Sequence, residues 1–133
     1  MDLESFTVFR MLSRRMAWLS HRQGVLARNI ANADTPNYRP YDAKPLDFQS
    51  LAERARGPIV VATTDARHLP GTRTPPRFAE ERQRDTFETT PTGNSVVLEE
   101  QIMKVGETAM NFRLMTNLYR KHVAMIRTVL GRG

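Results

Sequence analysis

The chain has 133 residues, enough for one ordinary domain, with a mean hydropathy of −0.50 and a net charge of +6 from seventeen arginines and three lysines against fourteen acids. There is no cysteine, which excludes a disulfide framework and a thiolate metal site, and no stretch approaches the roughly 18 apolar residues of a membrane span. The basic surplus permits binding to nucleic acid or an anionic membrane, and equally fits a basic face within a protein assembly.

All eight prolines lie between Pro36 and Pro91, so a proline-punctuated middle separates two proline-free ends. From Leu3 to Asn32 the spacing predicts one helix. Phe9, Leu12, Met16, Leu19, Gln23, Leu26 and Ile30 recur at threes and fours, with Phe6 and Trp18 beside them. Gly24 is tolerated inside at a cost of about 1 kcal/mol relative to alanine. No acid occurs between Ser5 and Ala33, whereas Arg10, Arg14, Arg15, Arg22 and Arg28 do, making this the most basic segment. The first three of these arginines also interrupt any hydrophobic core of a secretory signal, so no cleaved leader is expected.

Pro36 must end this helix, because it lacks an amide hydrogen and drives Thr35 out of helical geometry. Pro36-Asn37 suits the central positions of a type II turn, in which Asn37 takes positive φ and Tyr38 emerges. Pro40 and Pro45 keep the next residues extended. Further on, Leu46, Phe48 and Leu51 offer local packing, residues 59–64 read as a short strand, and residues 71–91 as a segment without a fixed fold in the isolated chain.

Gly93-Asn94-Ser95 opens a second long helix. Asn94 or Ser95 is expected to cap it, Glu99 and Glu100 suit its first turns, and Arg127 and Gly131 its end. Alternating steps of four and three give Leu98, Ile102, Val105, Ala109, Phe112, Thr116, Tyr119, Val123, Ile126 and Leu130, a seam for lengthwise packing on another helix. About thirty residues make a helix roughly 45 Å long. The expected fold is therefore mainly α: an antiparallel coiled-coil hairpin of residues 1–33 and 94–133, with an irregular middle, 34–93, holding at most a short β element.

One seam does not bury every apolar residue. Met103, Met110, Met115 and Val129 flank it, and Leu118 and Met125 lie on its far side, so neighbouring subunits are expected to cover what remains. Catalytic chemistry is not expected. His21, His68 and His122 have no metal-ligand spacing, Asp65 and His68 lie in a weakly patterned loop, and neither a phosphate loop nor a dinucleotide fingerprint occurs, so no cofactor is predicted. The rival from another class is a basic coiled-coil nucleic-acid-binding protein, but the arginines of the first helix share it with the apolar stripe, whereas a groove-entering basic region is polar all round.

The run Asn29-Ile30-Ala31-Asn32-Ala33-Asp34-Thr35-Pro36-Asn37-Tyr38 resembles the motif of bacterial flagellar rod, hook and hook-associated proteins, a long helix followed by Ala-Asn-x-x-Thr-Pro-Gly-Tyr. The continuation Arg39 to Phe48, the segment Thr63 to Leu69 and the run Gly93 to Glu99 look like the proximal-rod members of that family. Asn37 stands where the family usually has glycine, and asparagine also accepts positive φ. The resemblance implies a structural subunit of the basal-body rod, exported unfolded by the flagellar type III apparatus without leader cleavage and assembled in the periplasm. It implies that Leu12, Met16, Leu19, Leu26 and Ile30 join the second helix's seam in an axial coiled-coil layer, and that the middle orders on assembly. The implied partners are further copies, the rod subunits FlgC and FlgF, FliE, the membrane-ring protein FliF and the export gate. An FlgC-like subunit is the nearest alternative.

Overall fold

A computed structural model describes residues 7–46, 78–83 and 89–131. Helix α1 spans Thr7–Ala31, strands β1 (Tyr41–Ala43) and β2 (Glu80–Arg82) follow, and helix α2 spans Leu98–Val129. No helix among the described residues is long and apolar enough to cross a membrane.

The two helices run antiparallel, as three contacts along their length require. Asn29 meets Gln101 at one end, the Thr116 hydroxyl lies 3.7 Å from the Met16 sulfur further along, and Phe9 meets Tyr119 at the other end, ring centroids 5.1 Å apart and nearly perpendicular. Phe9, Leu19 and Leu26 of the apolar stripe are buried, while Leu12, Met16, Gln23 and Ile30 are half-buried. Trp18, beside that stripe, is buried as well because a β-hairpin covers its side of α1.

In that hairpin β1 and β2 pair antiparallel, with Tyr41 opposite Arg82, Asp42 opposite Glu81 and Ala43 opposite Glu80. Bonds from Lys44 N to Ala79 O (2.8 Å) and from Gln83 N to Pro40 O (3.0 Å) extend the ladder. Trp18 Nε1 donates to Lys44 O at 2.7 Å, satisfying the indole's one polar group. Trp18, Leu19 and Ala43 form a small core, with Leu46, Phe78 and Met115 packed around it. The expectation of no fixed fold across residues 71–91 is thus corrected for 79–83, which pair with residues 40–44, and for Thr90, whose backbone exchanges bonds with Gly93 and Asn94. The proposed strand at 59–64, together with Phe48 and Leu51, lies outside the described residues.

A second correction concerns α2. The row facing α1 is Gln101, Thr108, Met115 and His122, one residue before the apolar seam in each heptad. Gln101 and Thr108 are fully buried, Met115 joins the core and His122 meets Phe9 at 6.2 Å. Val105, Ala109, Thr116, Tyr119, Val123 and Ile126 are half-buried at the boundary, while Leu98, Ile102, Phe112 and Leu130 are exposed, Ile102 by 56%. The helix is turned by one residue, about 100°, from the orientation that apolar periodicity alone selects. The physical reason is polar. A buried asparagine on α1 needs a polar partner, and the segment preceding α2 is fixed by hydrogen bonds before the helix begins.

Candidate assembly interface

The site is built from two parts, a polar clasp that sets the rotation of α2 and the outward face that results. The clasp starts where α1 ends. Asn32 N reaches Arg28 O and Asn29 O, Asn32 Nδ2 donates to Arg28 O at 2.7 Å, and the Thr35 hydroxyl donates to Asn32 Oδ1 at 3.1 Å. Tyr38 N closes the turn on Thr35 O at 3.3 Å, and Asn37 takes φ +59°, as the Pro36-Asn37 pair requires. The side chains of Asn32 and Thr35 are thereby engaged in the turn itself, whereas Ala31, Pro36 and Asn37 are exposed.

The segment before α2 docks on this turn. Asn94 Nδ2 donates to Asn32 O (2.9 Å) and Thr35 O (2.7 Å), while its Oδ1 accepts from Val96 N at 2.8 Å. Asn37 N donates to Thr92 O and Ser95 N to Tyr38 O, each at 3.1 Å. Neither Asn94 nor Ser95 caps the helix. The cap position is Val97, without a side-chain bond to the first amides, so the expected cap is corrected to an inter-segment staple. Gly93 has φ +78°, a conformation that calls for glycine, and a Cβ there would also lie 2.4 Å from Asn37 Oδ1, the end of an exposed side chain that would have to turn away.

Asn29 is the hub. Fully buried, its Nδ2 donates to Tyr41 O (2.7 Å) and Gln101 Oε1 (2.9 Å), and its Oδ1 accepts from Tyr41 N (3.0 Å) and the Tyr38 hydroxyl (3.1 Å). One side chain therefore ties α1, the motif turn, β1 and α2 together, with both its donor hydrogens and both lone pairs used. Thr108, one heptad after Gln101, satisfies its own hydroxyl on Lys104 O at 2.7 Å.

Ion pairs surround the clasp. Arg22 holds Asp42 with two bonds, 2.8 and 3.0 Å, and this hydrogen-bonded partner raises the guanidinium pKa above its ordinary value. Lys104 meets Glu100 at 2.6 Å and Asp42 at 3.9 Å. Arg28 pairs with Glu80 of β2, which raises its pKa and which lies 3.3 Å from His21 Nε2. Arg15 stacks over Trp18 at 4.5 Å. These arginines are committed within the subunit, which weighs against α1 as a nucleic-acid-reading element.

The outward face of α2 is what the rotation leaves. Leu98, Ile102, Phe112 and Leu130 of the seam, with Met103 (69% exposed), Met110 (67%), Leu114, Met125 and Val129, lie open along most of the helix. Met103, Met110 and Met125 stand where inter-subunit contacts were expected. Leu118 is corrected: it is half-buried, one turn from Met115 on the α1-facing side. At the edge of this face an apolar groove of about 300 Å³ is lined by Leu19, Ser20, Gln23, Thr108, Ala109 and Phe112. Among the described residues no group of His, Asp or Glu is placed to hold a metal ion.

Sequence reasoning missed Gln101, Asn94, Trp18 and Glu80 as organising residues. Gln101 and Thr108 carried a signal, since two polar residues seven apart form a row suited to a buried polar partner.

A family model described as flagella basal body rod protein matches residues 9–39, which take in all but the first two residues of α1 and the turn after it. The chain is 31% identical to the flagellar basal body rod protein FlgB of Agrobacterium fabrum over 131 residues, 96% of each protein. It is 27% identical to that of Bacillus subtilis over 133 residues, all of this chain and 99% of the relative. With that of Escherichia coli it shares 26% identity over 121 residues, 86% of each.

Proposed function

We propose a mode of assembly from the premise that this chain belongs to the FlgB family of flagellar basal body rod proteins and is a structural subunit of that rod. The subunit polymerises through its terminal segments, 1–33 and 94–133, which act as one axial coiled-coil unit, while the remainder of 34–93 orders against neighbours. The observation that carries this reading is the apolar outward face of α2, which includes Ile102, Met103, Met110 and Phe112 and which α1 leaves uncovered. An open apolar face of that length marks an interaction site. Leu12, Met16, Leu19, Leu26 and Ile30 support it from the α1 side of the hairpin.

In this reading the subunit sits in the periplasmic part of the basal body after type III export. It joins the membrane ring FliF, FliE and the export gate to FlgC, FlgF and the rest of the rod. The relatives are structural rod proteins, and the chain's work is mechanical rather than enzymatic. Torque passes through lengthwise helix packing, because apolar contacts spread along parallel axes resist shear over their whole length.

The test is to express Phe112→Asp and Ile102→Asp in a strain lacking the native subunit. Both positions are exposed in the subunit, so export and folding are expected to continue while rods fail to form in purified basal bodies. Normal rods carrying either variant overturn the proposal.

A further inference from the structure

The charge of the chain is concentrated at its ends. Residues 18–112 hold twelve arginines and lysines against twelve acids, so the net +6 belongs to 1–17 and 113–133. Antiparallel pairing puts the described parts of those stretches, 7–17 and 113–131, at one end of the hairpin, where Phe9 meets Tyr119 and His122. Neither part contains an acid; Asp2 and Glu4, the two acids of the ends, precede the described residues. Arg120, Lys121 and Arg127 are exposed and make no ion pair among the described residues. The arginines nearer the motif turn have carboxylate partners, Asp42 for Arg22 and Glu80 for Arg28.

The extremity of the same end is apolar. Beyond His122, α2 runs on to Val129, and Met125, Val129 (86% exposed) and Leu130 stand open there, as does Val8 of α1. Arg120 and Arg127 also line a groove of about 320 Å³ with Tyr119, Val123 and Ala124, room enough for a phosphate headgroup.

We infer that this end of the free subunit docks on an anionic phospholipid surface. Val129, Leu130 and Met125 enter the boundary between headgroups and acyl chains, and Arg127, Lys121 and Arg120 meet the phosphates. The inference goes beyond the assembly reading, which rests on Ile102, Met103, Met110 and Phe112 and concerns copies of the chain. Docking is interfacial, since no described helix is long and apolar enough to cross a membrane. Cations alone are screened beyond about 8 Å at physiological ionic strength, and a few apolar side chains bind a bilayer weakly; together they supply the two signals that stable surface binding takes. A nucleic-acid duplex rewards the cations but offers no apolar phase to Val129 and Leu130. An acidic protein meets the charge, yet the end of a two-helix hairpin presents roughly 10 by 20 Å, far short of the roughly 800 Å² that each partner of a stable interface buries. A fluid surface closes around so narrow a tip.

The test is flotation of the full-length protein with vesicles of phosphatidylcholine alone or with a third of phosphatidylglycerol. Binding is expected to the anionic vesicles only, and to fall with added salt. Arg127→Gln should weaken it about fivefold. Arg113→Gln, about 21 Å further from the tip, should weaken it less. Val129→Ser with Leu130→Ser should abolish it. Because the chain has no cysteine, an environment-sensitive dye on Val129→Cys reads the orientation: its emission should shift to the blue on anionic vesicles, while the same dye on Met103→Cys, about 39 Å away along α2, should not. No flotation, equal flotation with both vesicles, or a shift at 103 rather than 129 overturns the proposal. So does binding to a DNA duplex or to polyglutamate that is as tight and indifferent to Val129→Ser with Leu130→Ser.

Discussion

The two ends of the hairpin are held by different physics. At the motif end Asn29, Asn32, Asn94 and the backbone of Thr92 to Ser95 form a network of directional bonds within the subunit. At the distal end Phe9 touches Tyr119 and His122 edge-on, while Met125, Val129 and Leu130 stand open. Directional bonds tolerate little displacement and so fix geometry, whereas apolar contacts are non-directional and accept a partner wherever area is covered. The chain thus uses polar chemistry to decide which way α2 faces, and leaves much of that helix's apolar surface uncovered within the subunit.

The strongest way to break that contrast is at the hub. Asn29→Leu strands the polar groups of Tyr41, Tyr38 and Gln101 in a buried site, and is expected to destabilise the subunit by about 3 to 5 kcal/mol, read by urea unfolding at low protein concentration. Gly93→Ala comes next. It places a methyl against Asn37 Oδ1 and an alanine at positive φ, for about 2 to 3 kcal/mol, and Asn37→Gly in the same chain should return roughly 1 kcal/mol by removing the clash but not the strain.

Two further substitutions sharpen the contrast by moving little. Gln101→Met removes one bond to Asn29, but also removes a buried Nε2 that finds no acceptor among the described residues, so the change should stay within about 1 kcal/mol. Ile102→Asp, on the open face, should alter subunit stability by less than about 0.5 kcal/mol. Its far-ultraviolet circular dichroism and unfolding midpoint should match the parent, while sedimentation shows loss of self-association. Loss of the Asn29 hub lowers subunit stability; face variants keep that stability and fail to assemble.

Both long helices and the Pro36-Asn37 turn were legible in the sequence because each depends on neighbours a few residues away, and antiparallel pairing followed from two long apolar stripes at opposite ends of one chain. Periodicity needs only a face, proline needs only its own ring, and Asn37 needs only its own φ. The rotation of α2 was not legible, since it is decided by Asn29 and Gln101, seventy-two residues apart, and by Asn94 reaching back to Asn32. Apolar periodicity locates the stripe but does not say whether it faces inward or toward another chain. The pairing of β2 with β1 was hidden for the same reason: Glu-Glu-Arg is no strand by composition, and it is placed by the ladder with Tyr41–Ala43 and by Glu80 meeting Arg28.

The contact between Asn37 and Gly93 has a consequence for how such chains diverge. With asparagine at 37, its amide oxygen occupies the space a side chain at 93 would need. With glycine at 37, as the flagellar motif usually has, that oxygen is gone and residue 93 answers only to its own backbone angle. The two positions, fifty-six residues apart, are therefore coupled: any side chain at 93 carries the strain of its positive φ, and with asparagine at 37 it must also displace the Asn37 amide.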